Sequence, residues 1–248
     1  MNIAIITGGS RGIGKSIALN AAKRGIGVIL TYNTGSKEAY DVVTEVKKGG
    51  GKAVALQLDT SKTETFNDFA SKIKSSLKEN FNKETFEFLI NNAGISGQRE
   101  SILETTESNF DELVNVNLKG PYFLTQKLVP IMSDGGHIIN ISSGLARVSF
   151  PNVSVYGSLK CALEGFTRYV AKEFASRKIR ANTVAPGAVD TEFGGGKDKN
   201  AKKYLSEITA LGKIAEAEDI GLFVASLLSD DSRFLNAQRI ELSGGFYI

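Results

Sequence analysis

The sequence predicts an α/β fold in which a doubly wound, parallel sheet of seven strands carries helices on both faces. Three observations predict it. Short apolar runs rich in β-branched residues alternate along the chain with longer segments of helical spacing. The runs are nearly continuously apolar, as in strands that are buried on both faces. No internal repeat or long linker divides the 248 residues, so we predict one domain spanning residues 1–248.

The seven predicted strands are apolar, β-branched runs of strand length. They are Asn2–Thr7, Gly27–Tyr32, Ala53–Leu58, Glu87–Asn91, Gly136–Ser142, Arg180–Ala185 and Gln238–Leu242. The predicted helices between them have apolar residues three or four positions apart. They are Ser16–Arg24, Ser36–Lys48, Thr65–Leu77, Asn109–Leu128, Val155–Ser176 and Asp219–Leu228. Since crossovers between parallel strands are right-handed, each helix is expected to lie over the sheet.

Composition excludes several classes of partner. The formal net charge of +3 comes from scattered basic residues, so we predict no nucleic-acid partner. No run approaches the roughly 20 apolar residues of a membrane span, and Met1–Gly8 lacks a basic leader and a cleavage site. We therefore predict no membrane partner and a cytoplasmic location. The single cysteine, Cys161, and the single histidine, His137, predict neither a disulfide nor a metal site, and we expect structural roles for both.

A glycine-rich loop follows the first predicted strand and leads directly into a helix. Glycine stands at positions 8, 12 and 14, where it permits a tight turn and close approach of a ligand to the backbone. The free amide groups and positive dipole end of the following helix attract phosphate. The loop therefore predicts a dinucleotide site, with a plain structural turn as the alternative. The predicted contacts from this loop are Gly8, Ser10, Arg11, Gly12, Ile13 and Gly14.

The residues that close the second and third strands bear on the choice of cofactor. A carboxylate at the end of the second strand would bind the adenosine ribose and repel a 2′-phosphate. Tyr32–Asn33 stands there instead, and Arg11 and Lys37 can face the extra phosphate. We therefore predict NADP(H) rather than NAD(H); an exposed Arg11 without this role is the alternative. Asp59–Thr60 is predicted to contact the adenine, with a helix cap as the alternative for the aspartate.

Tyr156 and Lys160 lie four residues apart near the start of a predicted helix, so both side chains share one helix face. An unperturbed tyrosine has a pKa near 10, and an adjacent cation lowers it toward neutrality. Taken alone, such a pair is also typical of an ordinary exposed helix face. Ser143 follows the fifth strand at the ligand-binding edge of the sheet, where its hydroxyl can donate to a carbonyl oxygen.

Together these motifs resemble the short-chain dehydrogenase/reductase family, specifically its ketoreductases, over essentially the whole chain. The matching residues are Thr7–Gly14, Asn91–Gly94, Asn117, Ser143, Tyr156 with Lys160, and Pro186–Gly187. The interval of 13 positions from Ser143 to Tyr156 also fits the family. The resemblance implies a Rossmann fold and a homotetramer built on the long helices Asn109–Leu128 and Val155–Ser176.

The resemblance also implies the roles of the site residues. Tyr156 would donate a proton to a ketone oxygen while the nicotinamide delivers hydride, and Ser143 would steady the developing oxyanion. Lys160 would bind the nicotinamide ribose and lower the pKa of the tyrosine. Asn117 would hold a water that links the lysine to solvent; a helix-interior amide bonded to backbone is its alternative. The further cofactor contacts implied are Asn92, Ala93, Gly94, Pro186, Gly187, Val189 and Thr191.

Two other functions stay open. One is 3-oxoacyl-acyl-carrier-protein reductase, whose members commonly carry basic residues where the acidic carrier docks. The segment Pro130–His137 is short and carries an acid, although Arg177 supplies part of a basic patch, so we favour a ketoreductase of free small molecules. The other is a non-catalytic NADP(H) sensor. Retention of the four residues Asn117, Ser143, Tyr156 and Lys160 argues against it.

The substrate pocket is predicted from the segments that follow Ser143 and the sixth strand. Its predicted walls are Leu145, Arg147, Val148 and Phe150, together with a substrate loop at about residues 191–212. Within that loop, Phe193–Asn200 is rich in glycine and predicts a mobile loop.

Overall fold

A computed structural model describes residues 1–193 and 199–248 of the chain. Its strands are β1 (Ile3–Ile6), β2 (Gly27–Tyr32), β3 (Ala53–Gln57), β4 (Phe86–Asn91), β5 (Met132–Ile141), β6 (Arg180–Pro186), β7 (Val189–Asp190), β8 (Ala215–Glu216) and β9 (Arg239–Leu242). Within this described part, seven strands form a parallel sheet of order β3-β2-β1-β4-β5-β6-β9, while β7 and β8 form a separate two-stranded ribbon. The doubly wound, seven-stranded prediction is confirmed.

Eight α-helices lie in the described part of the chain. They are α1 (Gly12–Lys23), α2 (Ser36–Lys48), α3 (Phe66–Ser76), α4 (Glu107–Val114), α5 (Gly120–Leu128), α6 (Ser154–Glu173), α7 (Lys199–Glu207) and α8 (Ala217–Ser226). None of the helices in residues 1–193 and 199–248 combines the length and the apolar character that crossing a membrane requires.

Strand β1 shows why the sheet needs helices on both sides. All four of its residues are fully buried. Ala4 and Ile6 belong to a core formed with α1, α2 and α8, whereas Ile3 and Ile5 belong to a second core formed with α3, α5 and α6. Successive side chains of a strand point to opposite faces, so a continuously apolar strand requires two apolar layers.

The long helix predicted over Asn109–Leu128 is divided by a π-helical turn at Asn115–Lys119, between α4 and α5. Turns of this kind occur frequently at functional sites because they redirect side chains and carbonyl groups. Asn117 lies in this turn and is fully buried. The spacing of apolar residues predicted the helix but gave no sign of the π turn.

The segment Phe193–Asn200 corrects one prediction. Gly194–Asp198 lies outside the described residues, but Lys199 and Asn200 are helical, in the first turn of α7. The sequence of α7 contains lysine, alanine, leucine and glutamate, which favour helix, and the glycine-rich stretch before it hid this preference.

His137 is a buried structural residue on β5, as expected from the sequence. Its Nε2 lies 2.8 Å from Asn182 Nδ2, and its Nδ1 lies 3.2 Å from the carbonyl oxygen of Leu227. Because the amide nitrogen can only donate, Nε2 accepts and Nδ1 carries the proton. Burial, together with nearby Arg180, lowers the pKa of His137 to about 3, so the ring is neutral at physiological pH.

Candidate active site

The glycine loop after β1 is joined to the loop after β4 through Thr7. Its Oγ1 accepts hydrogen bonds from the amide groups of Asn92 and Ala93, both at 2.9 Å. In return, Asn92 Nδ2 donates to the carbonyl oxygens of Thr7 at 2.8 Å and Gly8 at 3.2 Å. Two predicted cofactor segments therefore form one rigid unit. This role of Thr7 was not predicted, although a hydroxyl directly before a glycine loop was the available signal.

The glycines of this loop leave room that larger residues would fill. A Cβ at Gly14 would lie 2.2 Å from the carbonyl oxygen of Gly8, and Gly8 itself has a positive φ of 64°. A Cβ at Gly12 would lie 3.5 Å from Thr191 Cγ2, so the loop after β7 passes over the start of α1. Helix α1 has no acid in its first turn, and the side chain of its N-cap residue, Arg11, makes no capping hydrogen bond. The uncapped amide groups at this helix end therefore suit a phosphate group.

Of the residues predicted to select NADP(H), Arg11 lies in an exposed ion pair, with its Nη1 3.2 Å from Glu192 Oε2. Lys37 is exposed on α2. Tyr32 ends β2, and the backbone carbonyl of the following Asn33 accepts a hydrogen bond of 3.0 Å from Gln57. No acidic side chain occupies position 32 or 33 at the end of β2.

The remaining predicted cofactor residues differ in their burial and in their hydrogen-bond partners. Asp59 Oδ1 accepts from the amide and hydroxyl of Ser61, at 3.0 and 2.7 Å, within a turn. It does not cap a helix, because the next helical turn begins at Thr63 with Lys62 as its N-cap residue. Thr60 is buried, while Ser10 lies beside Gly35. The others either pack on the first core or follow strand ends at the same edge of the sheet. They are Ile13, Pro186, Gly187, Val189 and Thr191.

Tyr156 and Lys160 lie in the first two turns of α6 and are both buried. Lys160 Nζ is 5.4 Å from the centre of the Tyr156 ring and donates a 2.9 Å hydrogen bond to the carbonyl oxygen of Ile141. Ile141 is the last residue of β5, two positions before Ser143. The pair therefore faces the carboxyl edge of the sheet and does not occupy an exposed helix face.

Burial governs the protonation of this pair. Loss of hydration raises the pKa of the Tyr156 phenol, and its hydrogen bond with Ser143 opposes that shift. Burial also lowers the pKa of Lys160 to about 8. The adjacent lysine was predicted to lower the pKa of the tyrosine, but in this structure desolvation is the larger effect. The phenol therefore carries its proton at neutral pH, as a general acid requires.

Asn117 is held by backbone groups on both sides. Its Nδ2 donates to the carbonyl oxygens of Ile95 at 3.0 Å and Leu113 at 3.1 Å, and its Oδ1 accepts from the Ile95 amide at 3.3 Å. These bonds match the alternative given for Asn117 from the sequence, an amide inside a helix that is bonded to backbone. A Cβ at Gly94 would lie 2.9 Å from Asn117 Oδ1 and 3.8 Å from Lys160 Nζ, so all three residues are close neighbours.

The predicted substrate walls are only partly at the site. Leu145 packs with Tyr156 in a small apolar cluster, and the Phe193 ring lies 5.9 Å from the Tyr156 ring. Arg147 instead bonds Glu241 and the backbone at the carboxyl terminus, and Phe150 stacks on Phe246. These contacts hold both side chains against the carboxyl-terminal residues of the chain, and their place in the substrate pocket stays a prediction.

Comparisons with known proteins agree with this geometry. The sequence profile of the family described as enoyl-(acyl carrier protein) reductase matches residues 8–247. A hydroxynaphthalene reductase-like protein, Arp2, from Metarhizium brunneum is 35% identical over 98% of this chain and 94% of its own length. The tetrahydroxynaphthalene reductase PfmaG from Pestalotiopsis fici is also 35% identical, over 98% of this chain and 90% of its own length.

Solved structures show the same fold at comparable identity. The angucycline C-6 ketoreductase LanV with bound NADP superposes with a TM-score of 0.95 at 34% identity, covering 99% of this chain and 95% of LanV. A short-chain dehydrogenase/reductase from Serratia marcescens superposes with a TM-score of 0.92 at 30% identity, covering 100% of this chain and 98% of that protein. The motifs at the sheet edge, the profile match and these relatives agree, and the chain belongs to the short-chain dehydrogenase/reductase family.

Proposed function

We propose that the chain is an NADP(H)-dependent ketoreductase that reduces the ketone of a small molecule to a secondary alcohol. The observation that carries the proposal is the convergence of Ser143, Tyr156 and Lys160 at one edge of the sheet, beside the glycine loop. Relatives that align over nearly the whole chain bear the names of reductases and ketoreductases. We treat residues 1–248 as one catalytic domain with a substrate loop at about residues 191–212.

The residues of the site divide the reduction between them. Bound NADPH would supply a hydride to the carbonyl carbon. The Tyr156 hydroxyl donates its proton to the carbonyl oxygen, so that hydride and proton together convert the ketone to an alcohol. Ser143 donates a hydrogen bond to the same oxygen as negative charge develops on it. Because burial raises the pKa of Tyr156, the proton is present for donation at neutral pH.

Lys160 and Asn117 support the proton transfer. The Lys160 ammonium stabilises the phenolate that remains after donation and binds the nicotinamide ribose hydroxyls. Its pKa of about 8 lies near physiological pH, which suits a group that passes a proton back to Tyr156. Both amide hydrogens of Asn117 are bonded to backbone, so in this proposal its Oδ1, beside Gly94, accepts from the water through which the lysine exchanges protons with solvent.

The glycine loop fits a dinucleotide because a Cβ at Gly14 would clash within the loop and the start of α1 offers uncapped amide groups. In this proposal the pyrophosphate lies on this helix end. Arg11 exchanges its ion pair with Glu192 for the 2′-phosphate, and Asp59–Thr60 borders the adenine. The nicotinamide carboxamide lies against Val189 and Thr191.

A fused-ring aromatic ketone is the substrate class that we favour. Arp2 and PfmaG are named for naphthalenes, and LanV was also solved with NADP and rabelomycin. The Phe193 and Leu145 side chains beside Tyr156 offer apolar surface for such rings. Arg177, the residue offered for carrier docking, bonds Asp134 and the carbonyl oxygen of Val129 at the amino end of β5. It therefore lies at the edge of the sheet opposite to the site.

The test is turnover of purified protein with NADPH or NADH and three kinds of ketone: a 2-tetralone, a small aliphatic ketone and a 3-oxoacyl thioester of pantetheine. We expect reduction of the ketone with oxidation of NADPH, and the tetralone as the best substrate. A Tyr156→Phe variant should lose at least about 100-fold in kcat while binding NADPH with unchanged affinity.

Binding of NADPH without turnover of any ketone would contradict the proposal and favour a non-catalytic sensor. Preference for the thioester would favour the carrier-linked activity. We also propose a cytoplasmic location and a homotetramer; light scattering tests the tetramer by its molar mass.

A further inference from the structure

Next to the proposed site lies a chain of four alternating charges that none of the roles above uses. Glu164, on α6, bonds Arg239 of β9 at 2.8 Å. Arg239 also bonds Glu241 at 2.8 Å, and Glu241 forms a two-pronged pair with Arg147 at 2.8 Å on both prongs. We call Glu164, Arg239, Glu241 and Arg147 the charge chain.

Three of the four side chains of the charge chain are largely shielded from water, and the fourth, Arg147, is 38% exposed. The side chains of Glu164, Arg239 and Glu241 are 12%, 23% and 22% exposed. Arg147, the outermost member, also donates to the carbonyl oxygens of Phe246 at 2.6 Å and Tyr247 at 3.0 Å. Ion pairs that are shielded and bidentate are geometrically more specific than surface pairs. The arrangement therefore fixes the relative positions of the elements that carry it.

Both ends of the segment that carries Ser143 are attached to the charge chain. The hydroxyl of Ser142, directly before it, donates to Glu164 Oε1 at 2.7 Å. Arg147, four residues after it, holds Glu241, and Arg239 Nη2 lies 3.5 Å from the carbonyl oxygen of Ser143 itself. The short segment that contains the catalytic serine is therefore bonded to charged side chains both before and after Ser143.

The charge chain also reaches the lysine. Glu164 is one helical turn after Lys160 on α6, and Ser142 Oγ lies 3.5 Å from the carbonyl oxygen of Lys160. The Glu164 carboxylate therefore links two elements. It belongs to α6, which carries Tyr156 and Lys160, and it bonds Ser142 at the strand end that leads to Ser143. Arg239 anchors this carboxylate from the edge strand.

We propose that Glu164 and Arg239 are positioning residues of the ketoreductase, which hold the Ser143 segment in register with the Tyr156–Lys160 turn of α6. The inference rests on the proposed function. Neither residue contacts the reacting atoms; both act through Ser142 and Ser143. Small displacements of a catalytic group lower the rate steeply, with a shift of about 1 Å costing about 100-fold. Loss of the charge chain should therefore lower kcat without weakening cofactor binding, since the glycine loop makes none of these contacts.

The principal test compares Arg239→Met with the wild-type protein for kcat, KM of the ketone and KM of NADPH. We expect kcat to fall by about 10-fold to 100-fold while KM for NADPH stays within about 3-fold. Arg239→Lys should recover an intermediate kcat, because one ammonium can replace one of the contacts of the guanidinium but not all of them. A purely structural role would not produce this graded recovery in kcat at temperatures where every variant is folded.

Arg177 provides a matched control, since its guanidinium also bonds a carboxylate and backbone carbonyl groups, at the opposite end of β5. We expect Arg177→Met to lower the melting temperature and leave kcat unchanged. Glu164→Gln keeps the shape and an acceptor for Ser142, and should lower kcat by about 3-fold to 10-fold. If Arg239→Met does not fold, the kcat of Glu164→Gln tests the proposal instead.

The outcomes separate the two proposals. If the wild-type protein turns over no ketone, the proposed function fails and this inference fails with it. If the wild type is active but Arg239→Met and Glu164→Gln keep its kcat, only the inference is overturned. An equal loss of kcat in Arg177→Met, or an effect confined to KM for NADPH, would also overturn it.

Discussion

Replacement of Lys160 by methionine should leave the protein inactive but relieve a pH-dependent cost to its stability. Lys160 is fully enclosed, and burial lowers its pKa from 10.5 to about 8. A difference of this size corresponds to about 3 kcal/mol of unfavourable free energy for holding the ammonium in the folded protein at pH 7. Lys160→Met removes that cost and loses the 2.9 Å bond to Ile141, which is worth about 1–3 kcal/mol. The variant should therefore be as stable as the wild type or slightly more stable at pH 7.

The pH dependence gives the sharper measurement. The unfolded chain binds a proton at Lys160 up to about pH 10.5, whereas the folded protein releases it near pH 8. Between these values the unfolded state binds more protons, so the stability of the wild type rises with pH relative to the variant. The cost is fully present below pH 8 and disappears as the pH approaches 10.5. From pH 7 to pH 10 the unfolding free energy of the wild type should rise by about 2.5 kcal/mol relative to that of Lys160→Met.

Urea denaturation at pH 7, 8, 9 and 10 measures this difference directly. Lys172→Met is the matched control, because Lys172 lies on the same helix with an exposed ammonium that loses little hydration on folding. Its difference from the wild type should stay constant over this range. A constant difference for Lys160→Met as well, or a wild type that loses stability relative to this variant as the pH rises, would refute the argument that desolvation sets the protonation of this lysine.

Three further predictions concern other parts of the molecule. Gly14→Ala places a Cβ 2.2 Å from the Gly8 carbonyl oxygen, so NADPH affinity measured by fluorescence titration should fall at least about 10-fold. Tyr32→Asp introduces an acid at the end of β2 and should shift the ratio of kcat/KM from NADPH toward NADH by at least about 10-fold. Relative to His137→Gln, the wild type should lose about 2 kcal/mol of stability from pH 7 to pH 5, because unfolded His137 binds a proton that the folded ring, with a pKa of about 3, rejects. Unchanged NADPH affinity, an unchanged cofactor ratio and parallel stability curves, respectively, would contradict them.

The sequence predicted the sheet well because each strand is an apolar run bounded by small polar residues. Its least accurate strand boundary is at β5, which begins at Met132 and not at Gly136. Ser133, Asp134 and Gly135 at its start do not read as strand, and the pairing of β4 with β5 is irregular at this point. Backbone pairing with a neighbouring strand extends a strand through residues whose own preference is for a turn.

The site was predictable to the extent that it depends on short motifs. The spacing of Tyr156 and Lys160 and the position of Ser143 after a strand located the catalytic edge. The partners of Arg147 could not be found in this way, since Glu241 lies 94 residues further along the chain. A local pattern cannot specify which of several nearby elements an arginine will reach. The raised pKa of Tyr156 was missed for a similar reason, because burial is a property of the packed molecule.

Polar side chains extend from the catalytic edge down into the sheet. The register pairs Asn91 with Asn140 and Asn140 with Thr183 on three adjacent strands. Asn91 donates to Asn140 at 2.8 Å, and Asn140 donates to Thr167 of α6 at 2.8 Å. Thr167 lies seven residues after Lys160 on the same helix, and it also accepts from Thr183 at 3.1 Å. Side-chain hydrogen bonds are directional, whereas apolar contacts allow sliding, so this layer fixes the rotation of α6 over the sheet. The same rotation sets where Tyr156 and Lys160 point. The hydrogen bonds beneath the site therefore help to position the catalytic side chains within it.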